Sequence, residues 1–384
     1  MKIEQVNVRH VRESLWGPLG KREERLPLVT PLAGYEHYRH PITTWFWDSA
    51  IAIVEIIADD GARGIGWCED GCNAVRPIID NHLVRLLVGQ DPCEVEGLWD
   101  RMFRASIPYG RKGIAIEAIS AIDIALWDLL GNSAGKPVCQ LLGGPVRAMV
   151  PLYASGLHHI EAEKVFAEAQ DYVRQGYRAV KLRFGHGPAS GPKGMQSNED
   201  HVKVVREAVG EEISIMADAY MSWRLPYAGQ MCRRLEKYNL AWLEEPFIPD
   251  EVHSYAQLRR QTSIPIAGGE HEFTRYGFQQ IIEQNAMDIL QPDLHRCGGI
   301  TEGRKIAALA SAAGLSIIPH AYSAAHVHFV AATPNAPLLE YFPQPVWEDP
   351  GDHAPPSILA GEPVPLNGQV AAPTAPGLGT TLVK

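Results

Sequence analysis

The chain has 384 residues, 46% of them hydrophobic, and a net charge of −10 from 35 lysines and arginines against 45 acidic residues. That length exceeds one minimal domain and suits a large α/β barrel with a smaller companion, or two to three ordinary domains. The acidic balance argues against a general nucleic-acid or anionic-membrane binder, and no apolar run reaches the length of about eighteen residues that a membrane span needs.

The first residues, MKIEQVNVRHVRE, alternate like a strand and lack a signal-peptide core. The cysteines are scattered; Cys68 and Cys72 lie close together but have no second Cys/His pair to complete a zinc site. A reduced, cytoplasmic protein is expected. IEQVNVRHV and SAIAIVEIIADDGARGIGWCE read as antiparallel strands with ADDGA as a hairpin turn. Between them, residues 15–44 show neither helical nor strand period and are rich in Gly, Pro, His and Arg. A loop of that length is functional or disordered. Its His37 and Arg39 are candidate substrate contacts. AIEAISAIDIALWDLLGNSAG has apolar residues at helical spacing almost all round and predicts a deeply buried helix.

From about residue 150 a short apolar strand ending in a polar residue alternates with an amphipathic helix. The strand ends are Lys181 and Arg183 in AVKLR, Asp218, Glu244, Glu270, Asp293, His320 and Glu340. From Asp218 onward their spacings are 26, 26, 23, 27 and 20 residues. This regularity predicts a parallel β/α barrel, whose chemistry gathers at the C-terminal ends of the strands. A doubly wound sheet is the rival, but no Gly-rich dinucleotide fingerprint follows a first strand. The longer step from Lys181 to Asp218 reads as an inserted Gly/Pro-rich loop, GHGPASGPKGMQSNED, and the Pro/Gly-rich tail as packing back on the N-terminal part.

Asp218, Glu244 and Glu270 are carboxylates at consecutive strand ends, where they repel unless a cation joins them. Any one alone would as readily cap a helix or pair with an arginine. Three in register with a repeating unit suit Mg²⁺, which takes oxygen ligands and keeps room for water and substrate. Glu245 reads as a supporting carboxylate. Asp293 and His320 on the next two strand ends suit a dyad in which the carboxylate orients the imidazole as general base. Glu340 can donate to a developing oxyanion if its surroundings keep it protonated. His271 and His295 follow site residues closely enough to touch substrate, whereas His326 and His328 read as parts of a helix.

KLR, DAY, EEP, GGE, PDLHRCGG, PH and LE occur in the order seen in the enolase superfamily, and the whole chain resembles its mandelate racemase-like subgroup. The resemblance implies a modified (β/α)7β TIM-type barrel with an α+β capping domain. Residues 1–130 would form the cap, 131–345 the barrel, and 346–384 a segment completing the cap. It further implies Mg²⁺ on Asp218, Glu244 and Glu270, a carboxylate substrate, and removal of its α-proton to give an enediolate. Asp293–His320 would then be the base dyad, with Glu340 stabilising the intermediate. A homo-oligomer is expected.

The racemases of this subgroup carry Lys-x-Lys where this chain has Lys181 and Arg183. Racemisation needs a base on each face, and an arginine stays charged. Lys181 is expected to bind the substrate carboxylate; Arg183 could simply pair with Glu244 or Asp218. One competent base, His320, suits dehydration of a sugar acid (aldonate or aldarate) to a 2-keto-3-deoxy acid, with the imidazolium protonating the departing 3-hydroxyl. Among the acid-sugar dehydratases, GGEH and CGG are similar to the rhamnonate dehydratase branch. The alternatives are a racemase or epimerase using Lys181 opposite His320, and a Schiff-base lyase using Lys181.

Overall fold

The computed structural model describes residues 1–11, 29–35, 50–70, 73–159, 161–343 and 359–383. His37, Arg39 and most of the 15–44 loop, like Cys72, lie outside the described residues.

Three antiparallel strands, β1 (Ile3–Val11), β2 (Ile51–Ala58) and β3 (Arg63–Glu69), make the N-terminal sheet in that order. The hairpin turn falls at Asp59–Ala62, where Gly61 takes φ 88° and the Ala62 N–H donates to Asp60 Oδ1. β2 is a run of β-branched residues buried on both faces, as a strand covered by another layer must be. The covering layer is the predicted helix, Ile114–Ala134, which ends at Gly135 in the left-handed conformation. It lies directly on the backbone of β3. A Cβ at Gly64 would sit 2.1 Å from the Ala125 carbonyl, and one at Gly66 2.1 Å from that of Ala121. Glycines on the strand and alanines on the helix therefore set the spacing of these two layers. Asp128 on this helix accepts from Ile65 N–H of β3 and from Leu378 N–H of the tail, so one carboxylate joins three segments.

Among the described residues, eight parallel strands follow: β4 (Met149–Ser155), β5 (Ala179–Arg183), β6 (Ser214–Asp218), β7 (Trp242–Glu244), β8 (Ile266–Gly268), β9 (Ile289–Leu290), β10 (Ser316–Ile317) and β11 (Leu339–Tyr341). Each step from one to the next carries a helix, the first at Ala162–Arg174 and the last at Ala324–Ala332, giving a (β/α)7β chain order. Hydrogen-bonded neighbours run β10-β9-β8-β7-β6-β5-β4-β11, so the first and last strands meet. The fold is a TIM-type α/β barrel with a capping domain. The cap docks on it through the CGG motif: Trp99 Nε1 donates to Gly298 O, Ser120 Oγ accepts from Gly298 N–H, and Asp123 accepts from Thr301 N–H.

One expectation needs correction and another needs extending. The segment read as an inserted loop is largely helix: Gly191–Val209 begins one residue after a short turn at Pro188–Ser190. A proline in its first turn suits a helix start, and buried Asn198 donates to His186 O, so the Gly/Pro signal marked the entry to a helix. The tail also does more than cover the cap. With β12 (Leu359–Ala360) and β14 (Thr381–Leu382) paired to each other, β13 (Gln369–Ala371) pairs antiparallel with β4 of the barrel. Among the described residues no helix is long and apolar enough to cross a membrane.

Candidate active site

Parallel register sets the site. Arg183 lies opposite Asp218, and Asp218 opposite Glu244, so three charged residues stand side by side on β5, β6 and β7. Two residues before Lys181, Asp218 and Glu244 on the same strands, Ala179, Met216 and Trp242 join Tyr153, Ala267 and Ile318 in an apolar cluster. Alternation on a strand places both sets on the same face, the charged layer above the apolar one. The chain then turns sharply: Tyr220, Met221, Glu245 and Ala321 all have positive φ without being glycine. Such backbone is sparsely populated and tends to gather at functional sites.

Lys181 is fully buried, its Nζ 2.6 Å from Glu244 Oε1 and 2.8 Å from Glu340 Oε1. Burial disfavours its charge, but the two carboxylates outweigh burial and hold the ammonium well above the usual lysine range. Two of its hydrogen-bond partners are thus carboxylates of the protein itself. Arg183 Nε lies 3.2 Å from Asp218 Oδ2 with the guanidinium over the Tyr220 ring, the pairing weighed as an alternative above.

His320 is the imidazole at the centre. Its Nδ1 is 2.8 Å from Glu340 Oε2 and 3.1 Å from Glu270 Oε2. Burial opposes protonation, yet Glu270 and Glu340 outweigh it and push the imidazole up to about 9. Burial would likewise favour a neutral Glu340, but Lys181 and His320 hold it well below the carboxylate range. These two cations favour the ionised form of Glu340, against the protonated donor expected from the sequence.

The expected Asp293–His320 hydrogen bond is absent; no N–O pair between them comes within 4 Å. Asp293 instead takes the His295 N–H at 2.7 Å and lies 3.5 Å from His326 Nε2 and 3.6 Å from Arg296 Nε. Its influence on His320 is through space. His295, a candidate substrate contact, has both ring nitrogens used within the protein: Nδ1 bonds Trp67 O at 2.7 Å and Nε2 bonds Ser323 Oγ at 3.0 Å. His271 sits between Glu245 Oε2, at 2.8 Å, and Glu270 Oε1, at 3.5 Å.

Arg296 was not singled out from the sequence. It reaches Glu69 of β3 at 2.8 Å, Glu270 at 3.5 Å and Asp293, and is buried. The signal available was an arginine three residues after a strand-end aspartate. Trp242 and Gln291 were also missed; both donate to Glu244 Oε2, at 2.9 and 2.8 Å.

Buried carboxylates at Asp218, Glu244, Glu245, Glu270, Asp293 and Glu340 face the permanent cations Lys181, Arg183 and Arg296. This excess of negative charge is costly without a further cation. Asp218 Oδ2 and Glu270 Oε2 are buried without a hydrogen bond. Ligand atoms of Glu245, Glu270 and His271 lie within 4.8 Å of one another, a spacing able to hold a metal ion. Glu244, by contrast, has both oxygens engaged. The donor set, dominated by carboxylate oxygens, suits a hard divalent cation.

Comparison with known proteins agrees with the geometry. The sequence profile described as enolase C-terminal domain-like matches residues 164–384, and that of the mandelate racemase / muconate lactonizing enzyme N-terminal domain matches residues 38–143. A Caldivirga maquilingensis protein named "Putative L-rhamnonate dehydratase" is 40% identical over 360 residues, covering 92% of this chain and 87% of the relative. The L-rhamnonate dehydratase of Saccharopolyspora erythraea is 38% identical over 361 residues, covering 92% and 89%. The crystal structure of rhamnonate dehydratase from Gibberella zeae complexed with Mg superposes with a TM-score of 0.89 at 31% identity, covering 100% of this chain and 94% of that one. Barrel, cap, strand-end carboxylates and these matches together place the chain in the enolase superfamily, within its mandelate racemase / muconate lactonizing enzyme group.

Proposed function

We propose that the protein dehydrates a sugar acid to a 2-keto-3-deoxy acid with His320 as its base. The observation that carries this reading is that, among the described residues, His320 stands at the mouth with Lys181 and Arg183 both ion-paired, while the other imidazole there, His271, lies between Glu245 and Glu270. Lys181 is clamped as an ammonium by Glu244 and Glu340, and Arg183 is paired with Asp218. A racemase needs a base on each face of its substrate, and this geometry supplies one. The names of the relatives at 38–40% identity support the same class, with L-rhamnonate the first substrate to try.

In this reading Asp218, Glu244 and Glu270 hold Mg²⁺, with Glu245 and His271 beside them. When bound, the cation supplies positive charge against the carboxylate of the substrate. For Glu244 this requires release of one oxygen from Lys181, or from Trp242 and Gln291. A freed Lys181 would then face the substrate carboxylate. His320 takes the α-proton, and as an imidazolium returns it to the 3-hydroxyl leaving as water, so one residue serves both steps. Arg183 and Arg296 keep positive charge near the mouth throughout.

The test is formation of 2-keto acid from a panel of aldonic and aldaric acids, L-rhamnonate included, with Mg²⁺ supplied. His320→Asn is expected to lower turnover by about 10²–10⁴-fold. Near wild-type turnover in that variant would overturn the one-base mechanism, and solvent deuterium entering recovered substrate without keto acid would sink the dehydratase and favour the racemase.

A further inference from the structure

A buried hydrogen-bond chain runs from the cap to the turn that carries Asp293, and the chemistry above does not use it. It starts at the Trp67 carbonyl of β3, which takes His295 Nδ1 at 2.7 Å while the Trp67 indole stacks on the imidazole at 3.6 Å. His295 Nε2 meets Ser323 Oγ at 3.0 Å, and Ser323 Oγ meets His326 Nδ1 at 2.9 Å. His326 Nε2 takes the Leu294 N–H at 3.2 Å, beside Asp293 Oδ1 at 3.5 Å. His295, Ser323 and His326 are all buried.

We propose that His295, Ser323 and His326 form a one-directional relay that positions Asp293 relative to His320 and does so only when the cap is seated. The direction follows from the ends. A carbonyl can only accept, so His295 carries its proton on Nδ1 and offers a lone pair at Nε2. Burial, with the neighbouring His326, pushes His295 down to about 3, so it stays neutral. Ser323 must then donate to His295 and accept from His326 Nδ1–H. That leaves His326 Nε2 as an acceptor, which is what the Leu294 N–H requires. Each link then has a matching donor and acceptor, and the competing partner is Asp293 Oδ1, 3.5 Å from His326 Nε2, which would draw a proton to that nitrogen.

The relay joins two segments that the base site depends on. Leu294 and His295 directly follow Asp293, while Ser323 lies three residues after His320 and opens the helix Ala324–Ala332. Asp293 and His320 make no direct bond, so their relative placement must come from such outside ties. Ser323 and His326 are positioning residues; neither is placed against substrate.

The kinetic part of the test rests on the dehydratase reading, and the spectroscopic part does not. In the full-length protein labelled with ¹⁵N-histidine, the signals lost in His295→Gln and in His326→Gln are each expected to be those of an Nδ1–H ring whose Nε2 carries no proton. Finding either ring protonated or as the Nε2–H form overturns the relay whatever the reaction. In Ser323→Ala, kcat is expected to fall by about tenfold or more with KM within about twofold, and Ser323→Thr, which keeps the hydroxyl, to recover most of it. A Ser323→Ala enzyme that loses thermal stability but keeps its kcat would show a merely structural link and overturn the proposal. If no sugar acid is turned over by the wild type, the dehydratase reading fails while the tautomers still decide the relay.

Discussion

On β5, β6 and β7 the inward side chains change character within one step of the pleat. Ala179, Met216 and Trp242 fill the lower layer; Lys181, Asp218 and Glu244 each follow two residues later, about 6.6 Å along their own strands, with Lys181 in register with Met216 and Arg183 with Asp218. The lower layer is held mainly by apolar packing, with Trp242 alone of these three also bonded to the layer above, through Glu244. The upper layer is held by charges that water cannot reach, so each of its members depends on its particular neighbours. The apolar layer is what keeps water from the charges, and it thereby strengthens their mutual attraction as well as the cost of any imbalance.

Lys181→Met should separate the two layers most sharply. It leaves Glu244 and Glu340 buried without their shared cation, for an expected loss of about 3–5 kcal/mol in denaturant unfolding. A loss no larger than that of a core methylene would mean that water reaches the upper layer. Trp242→Phe keeps the apolar ring and removes the 2.9 Å bond to Glu244, so a smaller loss of about 1–3 kcal/mol is expected. Met216→Leu, confined to the lower layer, should cost less than about 1.5 kcal/mol and leave turnover unchanged. A large loss of turnover there would show that the layers are not separable.

The upper layer also carries a pH signature in the metal-free protein. His320 is raised to about 9, above its unfolded value of about 6.5. Its contribution is therefore fully present below about pH 6.5 and is lost as the pH climbs through about 9. The melting temperature in chelator should fall over that window, and fall less in His320→Gln. Equal slopes for the two proteins would mean that Glu270 and Glu340 do not hold the imidazole.

Much of this was legible because strand alternation and the repeat spacing are local properties. The polar residue closing each apolar run is visible in the sequence, and register then sets Arg183, Asp218 and Glu244 side by side. What was not legible is the pairing above that layer. Asp293 was read as the partner of His320 from their adjacent strand ends, yet both lie three residues beyond β9 and β10, where loop backbone decides direction. Positive φ at Ala321 turns the chain after His320, and the His295 N–H claims Asp293 Oδ1. His295 was read as a substrate contact because its true partner, the Trp67 carbonyl, is 228 residues away in the chain. Arg296 was overlooked for the same reason, since Glu69 belongs to the cap. The beginning of the helix Gly191–Val209 was hidden by glycines and prolines that usually mark loops.

The pairing of β13 with β4 has a consequence for how the molecule is made. β4 is the first barrel strand to leave the ribosome, yet its partners β11 and β13 are translated only after the strands β5 to β10. Until they arrive, β4 keeps backbone donors and acceptors exposed beside a long, unfinished sheet. Closing such distant pairings is slow, and unpaired strand edges invite association with other chains. Shortening the chain before Gln369 should therefore show itself first as aggregation during synthesis, ahead of any change at the barrel mouth.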